Sequence, residues 1–161
     1  MIKIIVDTNI VFSALLNTNS RIGQILINGK RHFDFYAPEY VRFEIFQHKE
    51  KIKFIGKLTE DEFIETYSLI LKNVTILNHL IIPLETYKNA ELLCRDIDID
   101  DTIFVAVSDF IKGVLWTGDI KLTNGLRNKG YKHLIKTDAL YLDFLNRERK
   151  NKDPDRDKTH K

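Results

Sequence analysis

The chain has 161 residues, of which 43% are hydrophobic, and its formal net charge at pH 7 is +2. This length predicts one domain with its own core, and the nearly balanced charge does not by itself indicate a nucleic-acid binder. Cys94 is the single cysteine, which excludes an internal disulfide and favours a reducing compartment. No signal peptide or membrane-spanning apolar run is predicted, so we expect a cytoplasmic protein that does not engage a membrane.

Strand-like and helix-like segments alternate from the first residues onward. The β-branched run over residues 2–6 predicts a buried strand. Asp7-Thr8-Asn9 then supplies a capping signal for a helix over about residues 10–16. A second helix is predicted over residues 21–29, and a second strand over residues 33–37.

The middle of the chain carries three helix signals and one strand. Pro38 fits a first helical turn and opens a predicted helix through about residue 49. Thr59-Glu60-Asp61-Glu62 is a capping box, which predicts a helix to about residue 72. Residues 74–77 predict the third strand, and Pro83 opens a helix to about residue 95.

An acidic stretch over residues 96–101 leads into residues 102–110, which are apolar nearly all round and predict a buried helix. Residues 113–117 predict the fourth strand. A short helix over residues 120–128, a fifth strand over 132–136 and a last helix from Asp138 to about residue 146 follow. This alternation predicts an α/β fold with a mainly parallel sheet covered by helices.

The composition changes at residue 147. Residues 147–161 contain seven Lys or Arg and four Asp or Glu, a net charge of +3, and almost no apolar residue. Such a segment cannot join a core, so we predict a domain over residues 1–146 followed by a charged, disordered tail. The tail could contact phosphates by electrostatics, but a solvated tail that aids solubility is the favoured interpretation.

Four carboxylates stand out by position: Asp7 after the first strand, Glu44 in the helix after the second, Asp101 at the start of the buried helix, and Asp119 after the fourth strand. Parallel α/β sheets gather side chains at the carboxyl ends of their strands, so Asp7 and Asp119 should face each other if their strands are neighbours.

Carboxylates ~4 Å apart repel by about 4 kcal/mol at an effective dielectric constant of about 20, and a cation relieves this repulsion. Oxygen ligands without Cys or His suit Mg²⁺ or Mn²⁺, which can promote phosphodiester cleavage.

Each carboxylate also has a purely structural interpretation. Asp7 could serve only as a helix cap, and Asp119 only as a turn residue. Glu44 could face solvent, with Glu39 or Glu50 as alternatives. His48 lies one turn after Glu44 on the same helix face, so it could approach the site or a phosphate, but a surface histidine is the favoured interpretation.

A basic segment follows Glu44 and contains Lys49, Lys51, Lys53 and Lys57. These lysines would either line an RNA path or form a solvated surface.

The acidic motifs resemble those of the PIN-domain family: Asp7-Thr8-Asn9, Glu44, Asp101-Thr102-Ile103-Phe104-Val105-Ala106 and Trp116-Thr117-Gly118-Asp119. The resemblance runs in the family's order from residue 1 to about residue 145. It is strongest to the VapC-like subfamily, the toxins of toxin–antitoxin systems. It implies a three-layer α/β/α sandwich with a central, mainly parallel sheet, and a metal-dependent ribonuclease.

Carried over by position, the resemblance makes Asp7, Glu44, Asp101 and Asp119 the catalytic and metal-binding carboxylates, with Mg²⁺ or Mn²⁺ as the ion. Asn9 would hold a ligand or a water of the metal, and Thr117 would orient Asp119 or a water. Hydrolysis would leave a 5′-phosphate and a 3′-hydroxyl.

Three acidic residues compete for one position before the buried helix. Asp101 is the best match because Ala106 follows it by five residues, as in the family pattern. Asp98 and Asp100 remain candidates for supporting contacts or for a second metal.

The implied function is an endoribonuclease that acts on RNA as the toxin of a toxin–antitoxin pair, with an antitoxin protein as partner and a homodimer as a further candidate assembly. The alternative is a PIN-fold module with little or no activity that binds RNA or protein, and a metal-dependent cleavage assay discriminates between them. A receiver-type signalling domain fits less well, because that fold requires an acidic pair after the first strand and this chain has Asp7 alone.

Overall fold

A computed structural model describes residues 1–152. Its strands are β1 (Ile2–Val6), β2 (Phe33–Pro38), β3 (Val74–Leu77), β4 (Val114–Trp116) and β5 (Leu134–Ile135). They form one parallel sheet in the order β3-β2-β1-β4-β5. The expected parallel sheet is confirmed. The first and fourth strands are neighbours, which was the condition for Asp7 and Asp119 to face each other. The chain reverses its direction of travel across the sheet between β1 and β4, which creates a switch point at their carboxyl ends.

Nine α-helices flank this sheet within residues 1–152. The first five are α1 (Thr8–Leu16), α2 (Arg21–Asn28), α3 (Tyr40–Gln47), α4 (Lys49–Gly56) and α5 (Glu60–Leu71). The last four are α6 (Leu84–Cys94), α7 (Thr102–Ile111), α8 (Ile120–Asn128) and α9 (Thr137–Lys152). Short 3₁₀ helices lie at Gly29–Arg31, His79–Ile81 and Ile99–Asp101. None of the described helices combines the length and the apolar character that a membrane crossing requires.

Helices cover both faces of the sheet. Ile4, Ile5 and Val6 of β1 are all buried, and consecutive strand residues point to opposite faces. The apolar helix α7 packs against β1, β2 and β4, with α6 beside it, while α1 packs with α2, α4 and α5. The predicted three-layer α/β/α arrangement with a buried helix after residue 101 is confirmed.

The prediction of one helix from Pro38 to residue 49 is wrong. Pro38 is the last residue of β2, in register with Leu77 of β3, a strand end where a missing N–H disrupts little of the ladder. Helix α3 begins two residues later and ends at Gln47. His48 leaves the helical conformation, and the separate helix α4 follows it.

The prediction that the last helix ends near residue 146 is also wrong, because α9 continues to Lys152. The guanidinium of Arg147 lies 5.2 Å from the centroid of the Phe33 ring. Glu148 contacts Nε2 of the buried His32 at 2.7 Å and pairs with Arg31. Composition indicated a solvated segment, but these contacts hold its first turns on the domain. The rest of the predicted tail, residues 153–161, lies outside the described residues.

Candidate active site

A cavity of about 290 Å³ opens at the carboxyl ends of β1 and β4, and we call it the acidic cavity. It is lined by Asp7, Thr8, Asn9, Phe12, Glu44, His48, Lys51, Asp98, Asp101 and Asp119. All four predicted carboxylates therefore lie together, joined by Asp98. The alternatives Glu39 and Glu50 are not among the lining residues, and Asp100 lines a neighbouring cavity instead.

Asp7 is the most deeply placed of these carboxylates, with 4% of its surface exposed. It follows β1 directly and is the N-cap of α1. The backbone N–H of Thr8 donates to Oδ1 at 2.7 Å, and the Thr117 hydroxyl donates to Oδ2 at 2.6 Å. Burial raises the pKa of Asp7 to about 6 despite these hydrogen bonds, and repulsion from Glu44 and Asp119 adds to the rise.

Glu44 is held by a residue that sequence reasoning did not assign to the site. The Thr8 hydroxyl donates to Oε1 of Glu44 at 2.5 Å, which connects the first turn of α1 to α3. The sequence feature that could have identified Thr8 as a site residue was its position between Asp7 and Asn9 in the first acidic motif. The partner could not be read from the sequence, because the two residues are 36 positions apart.

Thr117 contacts the carboxylate of Asp7 and the backbone of Asp119, the residue that it was expected to orient. Its buried hydroxyl donates to Asp7, and it accepts from the backbone N–H of Asp119 at 3.0 Å. The carboxylate of Asp119 instead caps α8, where Oδ1 accepts from the Leu122 N–H at 2.9 Å. Asn9 is exposed, and its Oδ1 makes a long contact of 3.4 Å with the Gly118 N–H. These contacts join the loops after β1 and β4.

The acidic stretch before α7 divides between two cavities. The side chain of Asp98 accepts from the Asp100 N–H at 3.0 Å and begins the 3₁₀ helix Ile99–Asp101. This tight turn leaves Asp98 and Asp101 in the acidic cavity and Asp100 outside it. Burial raises the pKa of Asp101 to about 7, and repulsion from Asp7 is the next largest cause.

The basic segment contributes one lysine to the acidic cavity. Lys49 and Lys53 both donate to the carboxylate of Glu60, at 2.7 and 2.8 Å, and Lys57 ends α4 in a left-handed conformation. Lys51 lines the cavity, as does the exposed His48. His48 is exposed, as expected, and it also lines the acidic cavity, which agrees with the alternative that it approaches the site.

The residues present fit a hard divalent cation. Among residues 1–152, no group of three His, Cys, Asp or Glu side chains is arranged closely enough to hold a metal ion unaided. Mg²⁺, however, retains several waters and usually needs only one or two direct carboxylates. Each carboxylate oxygen that accepts a hydrogen bond here keeps a second lone pair. A cation would also relieve the repulsion that contributes to the raised pKa values of Asp7 and Asp101.

Comparisons with known proteins agree with this fold. No curated protein matches the sequence. One similar solved structure is a chain of "VapBC2 from Rickettsia felis bound to a DNA fragment from their promoter", with 14% identity, a TM-score of 0.65, and coverage of 84% of this chain and 98% of that one. PAE2754 from Pyrobaculum aerophilum is also similar, with 14% identity, a TM-score of 0.65 and 90% of each chain covered. At such low identity these likenesses show the fold alone.

The sequence itself provides the assignment to a family. The family model described as "PIN domain" matches residues 5–140, a span that runs from β1 into α9 and includes all four predicted carboxylates. The resemblance seen in the four acidic motifs is thereby confirmed, and this chain belongs to the PIN-domain family.

Proposed function

We propose that this protein is a Mg²⁺- or Mn²⁺-dependent endoribonuclease that hydrolyses RNA phosphodiester bonds as the toxin of a toxin–antitoxin pair. The observation that carries the proposal is the gathering of five carboxylates in one cavity at the switch point of the sheet. The fold buries Asp7 and half-buries Asp101, and both have raised pKa values, which is unfavourable for their ionised forms without a cation. Membership of the PIN-domain family gives independent support.

Asp7, Glu44, Asp101 and Asp119 are the proposed metal ligands, with Asp98 beside them. A bound divalent ion would supply Lewis acidity, which activates water and stabilises a leaving oxygen. The protein's own contribution is orientation. Thr117 and the Thr8 N–H fix Asp7, and the Thr8 hydroxyl fixes Glu44.

Lys51 is the proposed contact for the substrate phosphate. The acidic cavity by itself repels a phosphodiester, and Lys51 is the one Lys or Arg among its described lining residues. Lys51 is exposed, and its positive charge would offset part of that repulsion and draw the RNA backbone toward the carboxylates.

An antitoxin protein is the proposed partner, because one structural neighbour is a VapBC complex. Three exposed phenylalanines of α3 and α4 offer apolar surface for it: Phe43, Phe46 and Phe54 are 61%, 45% and 85% exposed. A homodimer that uses this surface is the competing assembly.

The proposed location is the cytoplasm, since the buried thiol of Cys94 is free.

The test is the cleavage of a fluorescently labelled single-stranded RNA in the presence of Mg²⁺, Mn²⁺ or EDTA. We expect metal-dependent products with a 5′-phosphate, and their loss in Asp101→Asn with the fold retained. RNA binding without cleavage in any metal would instead identify the inactive binding module. A rise of the melting temperature with added Mn²⁺ measures metal binding separately from activity.

A further inference from the structure

A second cavity, of about 510 Å³, lies at the carboxyl ends of β2 and β3, and we call it the aromatic cavity. It is lined by Pro38, Tyr40, His79, Tyr87, Ile99, Asp100 and Ile103. These residues come from six different elements, which converge at the same edge of the sheet as the acidic cavity. Neither the four acidic motifs nor the proposed chemistry uses this cavity.

The two cavities are neighbours along the same edge of the sheet. Asp100 lines the aromatic cavity and the next residue, Asp101, lines the acidic one. Tyr40 and Glu44 repeat this relationship on α3, where they lie one turn apart on the same face. The strand order places β2 directly beside β1. A chain molecule with a phosphodiester in the acidic cavity can therefore extend a neighbouring group into the aromatic one.

The aromatic cavity is lined mainly by flat rings and apolar side chains. The Tyr40 ring stacks on Phe43, with centroids 6.1 Å apart and planes 21° apart, and its other neighbour is the buried Phe104 at 6.5 Å. Tyr87 and His79 add further rings, and Ile99 and Ile103 complete an apolar wall. Such surfaces stack with nucleobases, whose faces are flat and polarizable.

The charge of the aromatic cavity discriminates between the parts of a nucleotide. Asp100 is its one carboxylate, and no Lys or Arg is among its described lining residues. A phosphate would be repelled here. A carboxylate oxygen accepts hydrogen bonds, and the exocyclic amino groups of adenine, cytosine and guanine donate them. Uracil has no such amino group.

We propose that the aromatic cavity binds one unpaired base of an RNA strand whose backbone lies in the acidic cavity, with its tyrosine rings against the base and Asp100 accepting from the amino group. The placement of the strand rests on the proposed function. The recognition of the base does not, because it requires neither a metal nor cleavage.

The first experiment uses nucleosides, which lack a phosphate and so bypass the acidic cavity. The full-length protein in EDTA is titrated with adenosine, cytidine or uridine, and backbone amide shifts are followed by NMR. We expect shifts at His79, Tyr87 and Asp100, not at Asp7 or Asp119, with tighter binding of cytidine than of uridine. Tyr87→Ala should weaken cytidine binding by about fivefold or more, whereas Tyr87→Phe, which keeps the ring, should not.

The base preference tests the role of Asp100. Asp100→Asn keeps the shape of the side chain but adds a donor, so the preference for cytidine over uridine should fall. If Tyr87→Ala does not fold, a second variant, His79→Ala, removes a different ring from the same cavity. Because His79 is exposed, this variant should fold, and it should also weaken cytidine binding.

Several outcomes would overturn the proposal. Absence of nucleoside shifts at the lining residues would do so, and so would equal binding by Tyr87→Ala and wild type. If N-acetyl-leucinamide shifts these signals and nucleosides do not, the cavity is a docking site for a protein segment.

RNA cleavage separates this proposal from the proposed function. We expect Tyr87→Ala to raise KM for single-stranded RNA about fivefold with kcat retained. Wild-type cleavage without nucleoside binding would refute the base subsite alone. Nucleoside binding without cleavage would refute the nuclease and leave the base subsite standing.

Discussion

The hydroxyl of Thr117 donates to Oδ2 of Asp7 at 2.6 Å, although the two residues are 110 positions apart in the chain. Thr117 follows β4 and Asp7 follows β1, so this buried contact joins the ends of the two strands at the switch point of the sheet. Thr117 also accepts from the Asp119 N–H. One hydroxyl therefore fixes the deepest carboxylate and the backbone of a second acidic residue.

Thr117→Val removes this hydroxyl and keeps the shape of the side chain. Asp7 then loses a hydrogen bond that lowers its pKa, and the Asp119 N–H loses its acceptor. We expect a loss of about 1–3 kcal/mol in the free energy of unfolding at about pH 8, measured by urea titration. Thr117→Ser is the matched control and should stay near wild type. Equal losses in both variants would show that the methyl group, not the hydroxyl, matters.

Asp7→Asn should abolish metal-dependent cleavage without destabilising the protein in EDTA. Because burial raises the pKa of Asp7 from 3.8 to about 6, an ionised Asp7 costs the folded state about 3 kcal/mol at neutral pH. The neutral amide avoids that cost but cannot accept from Thr117 through its nitrogen, which offsets part of the gain. Thermal melts in EDTA should therefore show equal or higher stability. A mutant that melts several degrees lower would make Asp7 a structural residue.

The stability of the metal-free protein should fall as pH rises from about 4 to about 7 through Asp7 and Asp101. Both groups have folded-state pKa values above the ordinary 3.8, at about 6 and about 7. In this window the folded state binds more protons than the unfolded chain, so the slope of unfolding free energy against pH is negative. Urea titrations in EDTA across this range measure the slope.

Asp7→Asn serves as the control for this pH dependence, because it removes one of the two groups and should flatten the curve. Saturating Mn²⁺ should flatten it as well, since a cation favours the ionised carboxylates. An unchanged slope in Asp7→Asn would mean that other groups produce it.

The sequence predicted the positions of the site better than its contacts. Asp7 and Asp119 each follow a strand, and parallel pairing of β1 with β4 brings them to one edge. Which of Asp98, Asp100 and Asp101 enters the acidic cavity depends on a single 3₁₀ turn, and no periodicity in the sequence specifies it. The hydrogen bond from Thr8 to Glu44 depends on how α1 packs beside α3, which is a property of the tertiary structure.

Mn²⁺ should raise the melting temperature of the wild type, because the ion binds the folded acidic cavity and has no preformed site in the unfolded chain. The rise should grow with Mn²⁺ concentration and shrink in Asp101→Ala. Asp100→Ala is the matched control, since it removes an adjacent carboxylate that does not line the acidic cavity. Equal shifts in wild type and Asp101→Ala would remove Asp101 from the proposed ligands.

Truncation after Asn146 should lower stability, because it removes a partner from a buried side chain. Glu148 contacts Nε2 of His32, which is 6% exposed, at 2.7 Å. This hydrogen bond is the largest influence on the pKa of Glu148 and lowers it below its ordinary value; burial opposes the shift, and the charge of Arg31 adds to it. Glu148 therefore stabilises the folded state at pH values above the ordinary pKa of a glutamate. This stabilisation is lost as the pH falls through the lower pKa that Glu148 has in the folded state.

The comparison is between chains that end after Asn146 and after Lys152, together with the full-length variant Glu148→Ala. We expect Glu148→Ala to lose about 1–3 kcal/mol of unfolding free energy at neutral pH, because His32 is left unpaired. The chain that ends after Asn146 should lose at least as much. The chain that ends after Lys152 keeps every contact described here and should not share that loss. All three should retain metal-dependent cleavage, since none removes a residue of the acidic cavity. A truncated chain that folds and binds RNA but no longer cleaves it would place part of α9 in the active site and make the carboxylate set incomplete.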